Sequence, residues 1–479
     1  MDSDDEDHEL DEIVLLTVRN NLLIIQALQM MAMELMESSD EEEEEGEVRG
    51  ARRIIYCHRH LPRPERNVYD HGAALALIMR DFLSVPPLIS DFSSFFRISR
   101  PRFQRMLEDF QNSGNRFYQP KYGASVEARL LLPLKCLAFG VSPKVFCSYF
   151  SINESTASMC CDKFDAEFRQ LYFKEYLRRP TAANLKAISN LHLAVHGVPG
   201  MLGSLDCCHT HWRMCPKEWH GSFKGRNKVP TIVLEASSDY HTWFWHTAFG
   251  YAGSLSNLNI LQLSPLVSGF LDNSFAVIEA ASGVIPFEIS GQEFNEMYLL
   301  ADGIYPQYSR FVKGMLAPVT RGEKRLTKWQ AKARKDIERA FGILKIRFKF
   351  FDSKILLMTP KKISARVATC LMLHNMCVQD RVMNGNVRAT YVPSNSFDED
   401  EDYFAAFEGI LEDKEMEMDI SDEDAVDNNS DMEEADQGPV PDQADHQQLE
   451  AAFIQRWEKL VSWEEHRKLH QALHDHFNR

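Results

Sequence analysis

Several features that mark common classes of protein are missing from this sequence. Its ten cysteines are scattered and form no Cys-x-x-Cys pair, and the start shows no signal-peptide pattern. We therefore expect reduced thiols in a cytosolic or nuclear protein rather than a disulfide framework. The apolar stretch 12–37 is broken by polar side chains and flanked by acidic ones, which argues against a membrane span. An amphipathic helix for self-association or for binding a partner fits it better.

Basic side chains are scarce at both ends of the chain. The net charge of the chain is −17. Residues 1–50 carry 17 acidic and 2 basic side chains, and residues 397–445 carry 21 acidic side chains and 1 basic one. Residues 51–396 are left with a net charge of +18, which suits a core that binds a polyanion. We expect the acidic ends to be disordered and to keep the protein soluble; competition with DNA is the alternative.

Residues 51–195 are predicted to form a helical region. Residues 142–150, a turn at 151–153 and a helix that begins at Glu154 fit a helix-turn-helix with Asn153 as the N-cap. Such a motif would place the start of its second helix in the major groove of DNA. An ordinary helical hairpin is the alternative, because the second helix carries the acidic side chains Glu154, Asp162, Asp165 and Glu167.

Residues 196–385 show the pattern of an α/β domain with an antiparallel start. Apolar runs bounded by turn residues predict the strands and helical periodicity predicts the helices. Strands are expected at 201–207, 229–236, 242–250 and 297–302, and helices at 256–271, around Glu338 and at 361–380. Asp206 and Asp302 would then each stand at the end of a strand.

Three carboxylates are the candidate catalytic residues. Asp206 and Asp302 follow apolar strands, and Glu338 lies 36 positions after Asp302 in a basic helical segment. Two strand-end carboxylates and one on a later helix can hold a pair of divalent metal ions, Mg²⁺ or Mn²⁺, against a phosphodiester. Arg334 and Lys345 fall within about 40° of Glu338 on the helix surface, where they would hold phosphates. Ordinary ion pairs on a surface helix are the alternative.

Two further groups of residues that follow Asp206 in the sequence are candidate binding residues, one for DNA phosphates and one for zinc. Lys224, Arg226 and Lys228 lie in a glycine-containing loop, where they would contact DNA phosphates or simply form a solvated hairpin. The cluster Cys207–His211 invites a zinc interpretation. On a strand, alternate side chains point to opposite faces, so these residues are not expected to converge on one ion.

The C-terminal part divides into an acidic linker and a helix. Residues 386–446 are predicted to be disordered, and residues 447–479 return to helical periodicity. A tethered helix with an apolar face suggests an element that docks on a partner, although it would equally fold back on the body. Basic clusters at 49–53 and 321–335 are candidate import signals, so we expect a nuclear protein that is also found in the cytoplasm.

The residues around the three acids resemble the PIF/Harbinger transposases, particularly their plant-transposon-protein branch. The resemblance covers roughly residues 85–382 and rests on many blocks in one order. The blocks are Pro199–Cys207, His211–Trp212, Cys215–Pro216, Trp219–Gly221, Pro230–Ala236, Trp243–His246, Phe249–Ser254, Asn259–Leu261, Ser264–Leu266, Leu300–Pro306, Glu338–Phe348 and Leu373–Met376.

The resemblance implies a fold and a function. The fold class is an α/β ribonuclease H-like catalytic domain, preceded by an all-α, helix-turn-helix-like region and flanked by acidic disordered tails. The implied activity is that of a DDE endonuclease with Asp206, Asp302 and Glu338 as catalytic and metal-binding residues. It would cut DNA at terminal inverted repeats and join the 3′-hydroxyls to target DNA.

The sequence departs from the family pattern at one position. Family members usually carry Asp where this chain has Asn257, which we interpret as an auxiliary, degenerate position. If it were a metal ligand, the loss of one charge would weaken Mg²⁺ binding.

Family members commonly work with a separate Myb-like DNA-binding protein, and a homo-oligomer is also expected. The alternative function is a domesticated nuclear DNA-binding or scaffold protein without catalytic activity.

Overall fold

The computed structural model describes residues 69–119, 123–271, 286–385 and 459–478. These residues lie within one compact unit, Val68–Arg479. The predicted helix at 12–37, the basic cluster at 49–53 and the acidic segments lie outside the described residues. None of the helices in the described ranges has the length and apolar character needed to cross a membrane.

Helices make up the described part of the chain up to residue 196. They are α1 (His71–Ile78), α2 (Phe92–Phe96), α3 (Arg100–Asn112), α4 (Val126–Phe139), α5 (Cys147–Phe150), α6 (Glu154–Tyr176) and α7 (Ala182–His196). Asn153 is the N-cap of α6, as predicted, and its side chain accepts a hydrogen bond of 2.7 Å from the amide of Thr156. The short α5 and the left-handed Ser151 precede this cap, so a short helix, a tight turn and a long helix follow one another.

A five-stranded mixed sheet lies at the centre of the following segment. Its strands are β1 (Met201–His211), β2 (Thr231–Ser238), β3 (Phe244–Ala252), β6 (Tyr298–Leu300) and β7 (Phe311–Val312). Their spatial order is β3-β2-β1-β6-β7. The predicted antiparallel start is confirmed, because β1 pairs with β2 and β2 with β3 in antiparallel fashion. The strands β6 and β7 add to the other edge in parallel.

The strand that carries Asp206 differs from the prediction. We expected it to end at residue 207, but β1 continues to His211 because β2 pairs with it as far as the register His211–Thr231. Asp206 therefore stands in the middle of β1. The parallel pairing with β6 ends at Ser204 opposite Leu300, so Asp206 lies just beyond the end of that pairing.

The remaining elements include a small hairpin and the longest helices. They are α8 (His220–Phe223), α9 (Asn257–Leu263), α10 (Pro265–Leu271), β4 (Phe287–Ile289), β5 (Gln292–Phe294), α11 (Arg321–Arg347), α12 (Lys349–Asp352), α13 (Pro360–Asn384) and α14 (Trp463–Asn478). The single helix expected at 256–271 is wrong. It is divided at Ser264, whose backbone is extended, because a residue before proline disfavours the helical conformation.

Helix α13 joins the helical region to the sheet through buried polar contacts. Asn375 on α13 accepts a hydrogen bond from the amide of Phe244 in β3 and donates to the carbonyls of Phe244 and Tyr176. A buried ion pair of 2.5 Å links Arg366 on α13 to Asp165 on α6. The block Leu373–Met376 therefore has a structural role in this chain.

The C-terminal helix α14 folds back on the body. Leu469 and Leu473 on its inner face are buried in the same apolar cluster as Leu326 and Ala333 of α11. Phe477 packs against Trp329 of α11, with ring centroids 5.2 Å apart. Of the two alternatives for this segment, packing on the body is the one that the structure shows for residues 463–478.

Candidate functional site

Two of the predicted acids come from neighbouring parallel strands or their ends. Ser204 of β1 is in register with Leu300 of β6; Asp206 follows within β1, and Asp302 follows two residues after the end of β6. The two carboxylates are close enough for the charge of Asp302 to raise the pKa of Asp206. Each carboxylate accepts a hydrogen bond of 2.8 Å from the next amide in the chain, Cys207 for Asp206 and Gly303 for Asp302.

The third acid comes from α11, which packs against β1. The hydroxyl of Ser204 donates to the carbonyl of Ala333 at 3.4 Å, so this part of α11 runs beside the strand at Asp206. Arg334 bridges two of the acids, with nitrogen–oxygen distances of 3.5 Å to Asp206 and 3.3 Å to Glu338. Asp206, Asp302 and Glu338 thus form one group, which we call the carboxylate cluster.

The electrostatics of the carboxylate cluster show an excess of negative charge. Burial raises the pKa of Asp206, and the nearby charges of Asp302 and Glu338 act in the same direction. The amide of Cys207 and the guanidinium of Arg334 oppose this rise without cancelling it. Arg334 pairs with only two of the three carboxylates, and a divalent cation would supply further positive charge to the cluster.

The donor set fits a hard cation. Oxygen atoms of carboxylates are the ligands that Mg²⁺ and Mn²⁺ prefer. The cluster is reachable from solvent, since the side chain of Glu338 is 48% exposed and that of Asp206 is 22% exposed. The same exposure leaves room for the water ligands that Mg²⁺ usually keeps.

Lys345 lies further along the same surface of α11. Its ammonium interacts with the thiol of Cys208, and its charge also lowers the pKa of His209, although burial is the larger cause there. Both partners are on β1 just after Asp206. Lys345 is therefore a cation beside the carboxylate cluster, whereas Arg334 lies within it.

The loop that carries Lys224, Arg226 and Lys228 lies at the far end of β1. All three side chains are exposed, and Pro230 at the end of the loop accepts a hydrogen bond of 2.9 Å from the amide of Trp212. Trp212 is six residues after Asp206, which corresponds to about 20 Å along a strand. These cations are therefore separate from the carboxylate cluster and offer a second area of positive charge.

Asn257 is the first residue of α9, directly after β3. Ser256 caps this helix by accepting a hydrogen bond of 3.3 Å from the amide of Asn259. The strand order places β3 two strands away from β1. The auxiliary role of Asn257 stays a prediction.

A buried polar network beside the cluster was not anticipated from the sequence. Glu235 of β2 is opposite Cys207 of β1 and is completely buried. His246 lies 3.1 Å from its carboxylate, and Ser264 donates a hydrogen bond to it. The unusual signal in the sequence was a glutamate within an otherwise apolar strand, which requires a buried partner.

Comparisons with known proteins find similarity over the segment that contains these acids. Residues 174–384 match the family model described as "Plant transposon protein", a range that contains the whole carboxylate cluster. The chain is 23% identical over 208 residues to the human protein named "Putative nuclease HARBI1". The aligned residues cover 43% of this chain and 54% of the human protein. The Bos taurus protein of the same name is 24% identical over 199 residues, or 41% of this chain and 51% of that protein.

The extent of these similarities is limited. The chain spans about half the length of the curated relatives it matches. No solved structure matches it significantly. The similarity therefore concerns the sheet, α11 and α13, and the N-terminal helices before residue 174 lie outside the family match.

Proposed function

Because the chain belongs through residues 174–384 to the Harbinger-related plant transposon protein family, we propose that it is a metal-dependent DNA endonuclease of the PIF/Harbinger type. The observation that carries the proposal is the carboxylate cluster. The charges of Asp302 and Glu338 both act on Asp206, and Arg334 connects Asp206 with Glu338. An acidic group of this composition is suited to metal-assisted phosphodiester chemistry.

The sheet supports a ribonuclease H-like interpretation of the domain at 196–385. Three antiparallel strands are followed on the other edge by two short parallel ones, in the order β3-β2-β1-β6-β7. This arrangement presents the first strand and the first parallel strand as central neighbours. It gives a structural reason why the acids at 206 and 302 are far apart in sequence and adjacent in space.

Each residue of the cluster has a distinct role in the proposal. Asp206 and Asp302 would hold both metal ions between them, and Glu338 would complete one of the two sites. A bound pair of Mg²⁺ or Mn²⁺ ions would activate the attacking oxygen and stabilise the leaving one. Arg334 and Lys345 would orient DNA phosphates, and Arg334 pairs with the carboxylates of Asp206 and Glu338.

The substrate and partners follow from the family. The proposed substrate is DNA at terminal inverted repeats and at the target site, with Lys224, Arg226 and Lys228 contacting phosphates away from the cleavage point. A separate Myb-like DNA-binding protein, self-association and a nuclear location belong to the same proposal. The helical region at 51–195 would contribute the helix-turn-helix, and its exposed α6 residues Glu154, Ser155 and Ser158 would face the DNA.

The alternative is a domesticated DNA-binding or scaffold protein that has lost cleavage. Asn257 is the observation that favours it, because family members usually carry an aspartate at this position. The carboxylate cluster favours the enzyme, since all three acids are present and grouped. The two functions differ in one measurable property, which is metal-dependent strand cleavage.

The experiment is a nicking assay on supercoiled DNA that contains the flanking genomic repeats. The wild-type protein, Glu338→Gln and the control Glu464→Gln on α14 are compared with Mg²⁺, with Mn²⁺ and with a chelator. The proposal expects nicking by the wild type and the control that requires metal and is lost in Glu338→Gln. Intact DNA binding without cleavage by any of them, also after a Myb-like candidate is added, would favour the domesticated protein.

A further inference from the structure

A second group of possible metal ligands lies on the opposite side of α11 from the carboxylate cluster. His192 and His196 are one turn apart on α7, and Asp336 faces them from α11. Their ligand atoms all lie within 4.8 Å of one another. Asp336 is two residues from both Arg334 and Glu338, a rotation of about 200° on a helix, so it points away from the carboxylate cluster.

His192 is the residue whose surroundings demand an explanation. Its side chain is completely buried, and neither ring nitrogen has a hydrogen-bond partner among the described residues. Buried imidazoles normally pair at least one nitrogen. A neutral imidazole without a partner at its unprotonated nitrogen offers a free lone pair. A neutral imidazole in this state is a ready metal ligand.

The other two residues are already arranged around the same point. His196 lies 2.9 Å from the carboxylate of Asp336, and its ring stacks on that of His192 at 5.5 Å between centroids. Tyr240, from the turn between β2 and β3, packs edge-on against His196 at 5.7 Å. The guanidinium of Arg339 lies 4.7 Å from the centroid of the Tyr240 ring and forms an ion pair of 3.3 Å with Asp336.

We propose that His192, His196 and Asp336 form a zinc site that ties the end of α7 to α11. Two histidines spaced four residues apart on a helix and one carboxylate from a second element are a ligand set suited to Zn²⁺. A zinc ion bound between them would replace the contact that joins His196 to Asp336. Movements of about 1 Å would bring the three donors to tetrahedral spacing, and water would take the fourth position.

The site would act as a positioning element for the carboxylate cluster. The zinc ion would fix α11 two residues before Glu338, and Trp329 already anchors the same helix by donating a hydrogen bond of 3.0 Å to the carbonyl of His196. The two metal sites would differ in preference, because imidazole ligands select transition metals whereas the all-carboxylate cluster suits Mg²⁺ or Mn²⁺. The zinc proposal does not depend on whether the protein cleaves DNA.

The test is the metal content of the full-length protein, purified without chelators and with any histidine tag removed. We expect about one Zn²⁺ per chain, measured by plasma mass spectrometry, and its loss in His192→Gln and Asp336→Asn. The controls are Asp302→Asn, in the carboxylate cluster, and His211→Gln, at the end of β1; both should retain zinc. Retention of zinc by His192→Gln would overturn the proposal.

Thermal unfolding provides a reading that does not depend on the variants folding well. Removing zinc from the wild-type protein with a strong chelator should lower its melting temperature, and added Zn²⁺ should restore it, because a ligand bound only by the folded state stabilises that state. His192→Gln should respond to neither treatment. A wild-type protein that contains no zinc and whose melting temperature is unchanged by added Zn²⁺ would also overturn the proposal, while leaving the nuclease hypothesis untouched.

Discussion

The packing of α14 on α11 leads to a quantitative prediction about stability. Leu473 is completely buried between these helices, and its neighbours in the apolar cluster include Leu326 and Ala333 of α11. Leu473→Ala would remove three carbon atoms from this contact and leave a cavity. Substitutions of this kind cost 2–5 kcal/mol, so we expect the free energy of unfolding to fall by about 3 kcal/mol.

The assay is urea unfolding followed by tryptophan fluorescence. Trp329 is a local reporter, because its ring contacts Phe477 of α14 at 5.2 Å between centroids. The matched control is Leu316→Ala, since Leu316 is 99% exposed and its loss should change the free energy by less than about 0.5 kcal/mol. If Leu473→Ala behaves like this control, α14 does not pack on α11 in solution, and a role in docking to a partner becomes the better explanation.

Three further predictions concern single residues. Arg366→Ala should lower the free energy of unfolding by about 3–5 kcal/mol, because it leaves the carboxylate of Asp165 buried and unpaired. Urea titration should show a much smaller loss of this free energy in the double variant in which Asp165 is also replaced by Leu. Equal losses in the single and the double variant would contradict the ion pair. Asp206→Asn should raise the melting temperature of the metal-free protein at neutral pH, equivalent to about 1 kcal/mol. The pKa of Asp206 is raised on folding, so the ionised carboxylate destabilises the folded state above that pKa. The gain in melting temperature from Asp206→Asn should therefore shrink as the pH falls through the pKa of Asp206 in the folded protein. A gain that is independent of pH would refute this reason. Asn257→Asp should change the rate of metal-dependent cleavage by about twofold or less, whereas a tenfold gain, about 1.4 kcal/mol, would show that the position is a metal ligand.

The sequence predicted the elements whose signals are local. The N-cap Asn153 has a side chain that accepts a hydrogen bond from the third helical residue, and an acceptor of this type just before a helical segment is visible in the sequence. The antiparallel start of the sheet follows from short apolar strands separated by turn residues. The prediction of a basic helix around Glu338 is also confirmed. This helix begins at Arg321 because Thr320 and Glu323 form a capping box.

Features that depend on tertiary contacts were beyond the sequence. The predicted end of β1 is wrong because the apolar run that indicated the strand stops at Leu205, whereas pairing with β2 extends the strand through the polar residues to His211. The break before Pro265 was missed because the apolar pattern of 256–271 is continuous enough for one helix. The approach of Asp336 to His192 and His196 joins positions about 140 residues apart, so no local pattern predicts it.

The most direct test of the central claim is cleavage by Asp302→Asn. This change keeps the shape of the side chain and removes one negative charge from the carboxylate cluster, in which Asp302 follows the end of β6. DNA nicking with Mg²⁺ or Mn²⁺ and DNA binding are measured on the same preparations, with Asp352→Asn on α12 as an exposed control. The carboxylate cluster predicts that Asp302→Asn loses metal-dependent nicking while its affinity for DNA stays nearly unchanged. Nicking by Asp302→Asn at the wild-type rate would show that these acids are not the active site.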